Sequence, residues 1–288
     1  MDFIFSLTRK RDQFKNLLIF LPLIISGSTE IKSYFYVIPS LILLGFGTTL
    51  AYTINDLYDF SADTLDHNKV HRVFVKYPER KLMGLISSTL AFLLASILYM
   101  YFDGSKIIMS TVVIYIFLNI LYSFYFKRIG YLEILFIQFF ILSRVYVGVE
   151  FIEETTSIYF WFFLSSIVTF IICNKRISEI INNSYKILRV TNFKYDIKLL
   201  KALGWVSLFL NFLIFCFYVY HLISHFNNGF ILLCFSVIYL TLLMILLKLN
   251  YENKFYLPYK HTILKIDFVL LSAMFLILLI YIKNNWNT

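Results

Sequence analysis

From Leu82 to Phe102 the chain runs for 21 residues without a charged side chain. A helix rises 1.5 Å per residue, so about 20 apolar residues are enough to cross the roughly 30 Å hydrocarbon core of a bilayer. Comparable runs recur along the sequence, which predicts nine spans at about 14–30, 34–55, 82–102, 107–126, 131–150, 157–174, 202–222, 229–249 and 264–283. Composition agrees: of 288 residues, 60% are hydrophobic and 15% charged, against about 45–50% and about 25% in soluble domains. The expected fold class is all-α, a polytopic membrane protein forming a single domain over residues 1–288. The basic, then apolar N-terminus is followed by no small-x-small cleavage site, so it reads as a first span, with Pro22 tilting or breaking it.

Charge placement gives an orientation. The N-terminal segment and every second loop after it hold 22 of the 26 Lys and Arg residues. Cytoplasmic loops are enriched in these residues, so this side is expected to face the cytoplasm and the chain to reside in the cytoplasmic membrane. The net charge of +9 then belongs mainly to one membrane face and implies no nucleic-acid partner. Cys173, Cys216 and Cys234 lie in or beside apolar runs at no metal-ligand spacing and read as core thiols. His221 and His225 are spaced i,i+4 without a nearby carboxylate and read as an interfacial polar pair. The segment SEIINNSYKILRVTNFKYDIKLL reads as a partly amphipathic cytoplasmic loop or interfacial helix, with Tyr185 and Lys186 its polar candidates for a lid.

One stretch breaks the apolar pattern: NDLYDFSADTLDHNK, residues 55–69, carries four aspartates at the end of the second span. If the helix continues, the 100° step per residue puts Asp59 about 60°, Asp63 about 20° and Asp66 about 80° from Asp56, all to one side, with Asn55 about 100° away. Like charges on one face repel, so the row makes sense if a cation neutralises it. Oxygen-only ligands suit Mg²⁺, which usually keeps some waters and bridges carboxylates to substrate phosphates.

Asn55-Asp56-x-x-Asp59-x-x-x-Asp63 resembles the NDxxDxxxD motif of the UbiA superfamily of intramembrane transferases. That resemblance implies a nine-helix bundle around a cavity open toward the cytoplasmic side. It also implies Mg²⁺ as cofactor, held by Asp56, Asp59 and Asp63 with Asn55, and the diphosphate of a donor bound to the metal. Other stretches resemble the decaprenyl-phosphate phosphoribosyltransferase branch. RKRDQFKNLLIFLPLI is similar to its RPxQWxKNLLVFxPL signature, with Lys15 and Asn16 matching. Lys69-x-x-Arg72 resembles its KxxRP, Arg144-Val145-x-x-Gly148 its RVxAG, and Lys175-Arg176-x-x-Glu179 its KRxxE. Departures are Val73 in place of the proline, KYPERK in place of a Ser-Gly turn, a displaced histidine at Asp66-His67, and Glu133 in place of an aspartate, preceded by Lys127.

The motif reads the leaving group and not the carbon that moves. The resemblance therefore implies a transferase taking a 5-phosphoribosyl group from phosphoribosyl pyrophosphate to a polyprenyl phosphate, in the service of cell-envelope lipid synthesis. Lys15, Asn16, Asn55, Lys69, Arg72, Lys127, Arg144, Lys175, Arg176 and Glu179 are the expected substrate-binding residues. A phosphorylated sugar needs extra cations, and Arg suits bidentate phosphate contact. Prenyl transfer from a prenyl diphosphate to an aromatic or glycerol-phosphate acceptor stays open on the same scaffold. A lipid transporter is the non-enzymatic alternative. Arg144 stands apart, because an ionisable group within a span costs about 2.5–3.5 kcal/mol and must face a polar cavity or an acid.

Overall fold

A computed structural model of the chain describes residues 2–26, 31–65, 70, 72–102, 104–152, 156–181 and 195–223. The spans expected at 229–249 and 264–283 lie outside these residues, as do Asp66, His67, Lys69, Tyr185, Lys186, His225, Cys234 and the side chain of His221. The described residues contain helices and no strands. Six of the helices are long and apolar enough to cross a bilayer.

The chain divides into two compact units. In the first, α1 (Asp2–Leu7), α2 (Lys10–Gln13), a 3-10 helix at Phe14–Phe20 and the start of α3 (Leu21–Ile25), which the first unit holds as far as Leu23, precede the long α4 (Ile31–Tyr58). Two single turns, α5 (Phe60–Asp63) and α6 (Val73–Lys76), lead through a 3-10 turn at Pro78–Arg80 to α7 (Lys81–Tyr101). Then come α8 (Lys106–Phe124), a 3-10 turn at Phe126–Arg128 and α9 (Leu132–Val149). The helix α4 packs on α7 and α8, and the 3-10 segment lies against α9. Leu43, Leu44, Val112, Tyr115 and Ile116 are among the residues that close the core. Leu90, Leu93, Leu94, Ile97 and Leu98 of α7 stay exposed, as a lipid-facing stripe should, because hydrocarbon imposes no penalty on apolar side chains.

The second unit holds α10 (Ile158–Ile181) and α11 (Ile197–Ile223), packed on each other. Asn211 of α11 ties the pair together, donating to the Phe163 carbonyl at 3.2 Å and to Ser166 Oγ at 2.9 Å. The helix α10 runs seven residues past the apolar run expected to end at 174, and α11 begins at Ile197. Part of the expected amphipathic loop is therefore the polar end of two spans. Cys173 is buried and Cys216 exposed on these helices.

The first expected span departs most from its sequence reading. Residues 14–20 wind as 3-10 helix before the α-helical turn Leu21–Ile25. At about 2.0 Å per residue for the first part and 1.5 Å for the second, this covers roughly 20 Å, short of the hydrocarbon thickness. Close backbone approach accompanies the change. A methyl group at Gly148 of α9 would overlap the Ile19 carbonyl oxygen and press on Pro22. Backbone cannot give way there as a flexible side chain would. Gly148→Ala is expected to push the N-terminal segment off α9 and lower the melting temperature by several degrees, equivalent to about 1–3 kcal/mol. An unchanged melting curve would contradict this packing.

Candidate active site

The aspartate row sits where α4 ends. Helical register survives the junction: the Asp59 N–H donates to the Asn55 carbonyl at 2.9 Å, and the Asp63 N–H to the Asp59 carbonyl at 2.8 Å. Asp56, Asp59 and Asp63 therefore remain at i, i+3 and i+7, on one face. That face points inward, for Asp56 and Asp63 are 3% and 1% exposed.

Three protein cations meet the row. Arg9 donates from Nε to Asp56 Oδ2 at 2.9 Å and from Nη2 to Asp56 Oδ1. Arg72 donates to Asp56 Oδ1 and lies 3.7 Å from Asp63 Oδ2. Lys127, on the 3-10 turn after α8, pairs with Asp59 and reaches Asn55 Oδ1 at 3.4 Å. Ser123 of α8 donates to the same Asn55 oxygen at 3.2 Å. The repulsion that the sequence was expected to relieve with a metal is thus relieved here by two guanidinium groups and an ammonium.

Small hydrophobic contacts bring these cations in. Phe3 and Leu7 of α1 pack with Val73 and Phe74 of α6 in a cluster that Leu57, Phe60 and Tyr77 border. Arg9 follows Leu7 by two residues and Arg72 precedes Val73, so one apolar plug delivers both arginines. Arg9 also rests on the Tyr52 ring, with Cζ 5.0 Å from its centroid. Among the described residues it is the non-glycine with positive φ, at 42°. A left-handed arginine costs on the order of 1 kcal/mol or more, and such strain persists where surrounding contacts over-determine it.

Burial, reinforced by the neighbouring Arg72 charge, pulls the Arg9 guanidinium down to about 10 from its ordinary 12.5. An anion that needs the protonated form is therefore bound fully below that value and released as pH rises through it. Pyrophosphate affinity, read by calorimetry, is therefore expected to fall near pH 10 by a larger factor in the wild type than in Arg9→Gln. The same profile in both would show that Arg9 does not supply the charge.

The other expected site residues fall elsewhere. Lys15 is exposed and pairs with Asp12 at 2.5 Å. Asn16 is buried and donates to Gln13 Oε1 at 2.7 Å and Thr48 Oγ1 at 3.0 Å. Arg144 lies inside the first unit among Asn16, Tyr52, Tyr115 and the Phe140 carbonyl. Glu133 is buried and accepts from Tyr122 Oη at 2.8 Å. Lys175, Arg176 and Glu179 belong to the second unit, where Arg176 pairs with Glu179 at 2.5 Å. Sequence reasoning missed Arg9. Its signal was present: counting back from Lys15-Asn16, the arginine that opens RPxQWxKN falls on Arg9.

Three carboxylates and an amide oxygen form the oxygen-only set that Mg²⁺ favours. Among the described residues no three acidic, histidine or thiol groups yet converge on one point. The donor chemistry fits the metal, and the cations beside it fit the phosphate oxygens such a metal would carry.

What this arrangement defines is a helical membrane bundle with a buried row of acid–base pairs at one helix end. No family model matches the chain, and no curated protein is similar to it in sequence. Its fold is that of the UbiA homologues. The Archaeoglobus fulgidus UbiA homologue bound to DMAPP and Mg²⁺ aligns with a TM-score of 0.68 at 12% identity, over 96% of this chain and 98% of that one. The same homologue bound to GPP and Mg²⁺ gives 0.65 at 13% identity, over 97% and 99%. A digeranylgeranylglyceryl phosphate synthase structure gives 0.62 at 16% identity, over 98% and 97%.

Proposed function

We propose that the chain is a UbiA-type intramembrane transferase that moves a 5-phosphoribosyl group from phosphoribosyl pyrophosphate to a polyprenyl phosphate. The observation that carries this reading is the convergence of Arg9, Arg72 and Lys127 on Asp56, Asp59 and Asp63. A site built only to fold would be cheaper without six buried or half-buried charges, since desolvation offsets most of what buried pairs gain. A site that must exchange partners has use for them. Asp56, Asp59 and Asp63, with Asn55, would hold Mg²⁺, which when bound neutralises charge on the departing pyrophosphate. Arg9, Arg72 and Lys127 would turn from carboxylate to phosphate oxygens, the anion geometry that guanidinium matches in a bidentate manner.

In the transfer, the bond from the ribose anomeric carbon to pyrophosphate breaks and its electron pair leaves with pyrophosphate. A bond forms from the same carbon to the acceptor's phosphate oxygen, already an anion, so no strong general base is needed. Lys15 and Lys69 would serve the remaining phosphates of donor and acceptor. The basic side of the membrane, where these residues lie in sequence, would be the cytoplasmic face from which the donor enters.

Prenyl transfer is the second reading, and the likeness to structures holding DMAPP or GPP with Mg²⁺ favours it. The two differ in donor. Purified protein is incubated with Mg²⁺ and either phosphoribosyl pyrophosphate plus polyprenyl phosphate, or geranylgeranyl diphosphate plus an aromatic or glycerol-phosphate acceptor. Turnover of the first pair alone is the expected result. Turnover of the second pair alone would replace the phosphoribosyl reading.

A further inference from the structure

Arg144 is 2% exposed inside the first unit, and among the described residues its hydrogen-bond partners are neutral. Nε donates to Asn16 Oδ1 at 3.0 Å, Nη1 to the Phe140 carbonyl, and Nη2 to Tyr52 Oη at 3.1 Å and Tyr115 Oη at 2.6 Å. These groups come from the N-terminal 3-10 segment, α4, α8 and α9 itself. A guanidinium kept in a membrane core with no acid hydrogen-bonded to it among the described residues is expensive, and an apolar residue would fill the space at less cost. Something besides packing retains it.

Tyr52 shows what. Its hydroxyl is held by Arg144, and its ring face carries the Arg9 guanidinium. Tyr52 also lies one helical turn before Asp56 on α4, the carboxylate that Arg9 grips. Asn16, fixed by Arg144 on one side and by Gln13 and Thr48 on the other, anchors the segment seven residues after Arg9. Arg144 therefore restrains both the Tyr52 hydroxyl and the Asn16 side chain, and both restraints lead to Arg9.

We infer that Arg144 is a positioning residue, acting through Tyr52 and Asn16 to set the Arg9 guanidinium over the diphosphate end of the site. The inference rests on the diphosphate-transferase reading above. It removes Arg144 from direct substrate contact and gives Tyr52 a role that sequence patterns did not assign.

The test measures Mg²⁺-pyrophosphate binding to the purified full-length chain by calorimetry, with melting temperature recorded separately. Tyr52→Phe removes one hydroxyl and keeps the ring. It is expected to weaken binding about 5- to 10-fold, and Arg144→Lys by at least as much. In an Arg9→Gln background the Tyr52→Phe effect should shrink below about twofold, because the group it positions is gone. A structural role would lower the melting temperature while leaving folded-state affinity unchanged, or would subtract the same amount with and without Arg9. Either result overturns the relay while leaving the transferase reading standing. If Arg144→Lys does not fold, the Tyr52→Phe pair decides alone. Wild-type protein that fails to bind Mg²⁺-pyrophosphate at all overturns the transferase reading, and the relay with it.

Discussion

Replacing Asp56 with asparagine should lower kcat by about 10²–10³-fold or more, the loss seen when a preorganised electrostatic contact to the reacting charge is removed. Two effects combine. The metal would lose one of its two buried carboxylate ligands, and Arg9 and Arg72, both bonded to Asp56, would lose their shared anion. Breaking a buried pair by removing one partner costs about 3–5 kcal/mol because the other charge stays behind. The amide of asparagine offers one oxygen and softens that cost, so Asp56→Asn should fold where Asp56→Ala is strained. Turnover and melting temperature are measured together. A transporter that merely carries lipid would retain its activity in this variant, and retained turnover would sink the catalytic role of the row.

The second large effect has opposite signs for two ligands. Arg72 bridges Asp56 and Asp63, so Arg72→Gln unmasks two carboxylates and deletes one phosphate donor. Affinity for Mg²⁺ alone should rise several-fold, since a competing cation has gone. Affinity for Mg²⁺-pyrophosphate should fall about 10- to 100-fold, the equivalent of losing one or more charge-assisted hydrogen bonds. Titration calorimetry reads both. A general loosening of the fold would weaken both ligands, and a structural salt bridge with no substrate role would leave the pyrophosphate term unchanged.

Some parts of this molecule were legible in the sequence because a local rule governs them. Spans such as 82–102 follow from unbroken apolar runs, and the structure shifts that one only to Lys81–Tyr101. The row at Asp56, Asp59 and Asp63 is legible because helical periodicity carries through Tyr58 to Asp63 with little change. The N-terminal segment is not governed locally. Its apolar composition suits a span, yet the close approach of Gly148 to Ile19 and the bond from Arg144 to Asn16 accompany a 3-10 winding. Both partners lie more than a hundred residues away, where no periodicity can see them. The neutralisation of the row was hidden for the same reason. Arg9 and Lys127 stand 47 and 68 residues from the carboxylates they meet, brought there by the Phe3–Phe74 plug and by the length of α8. Lys127 was legible as an expected substrate-binding residue preceding Glu133, whereas its pairing with Asp59 was not.

The account rests on the claim that the acidic row exchanges protein cations for a divalent ion carrying a diphosphate. Diffraction from crystals grown with Mn²⁺ and pyrophosphate tests it directly, because Mn²⁺ takes Mg²⁺-type oxygen sites and is visible by its anomalous signal. The account predicts an anomalous peak coordinated by Asp56 and at least one of Asp59 and Asp63, with pyrophosphate oxygens on its far side contacting Arg9 or Arg72. A fully occupied pyrophosphate elsewhere in the molecule, with Asp56 still locked to both arginines, would contradict it.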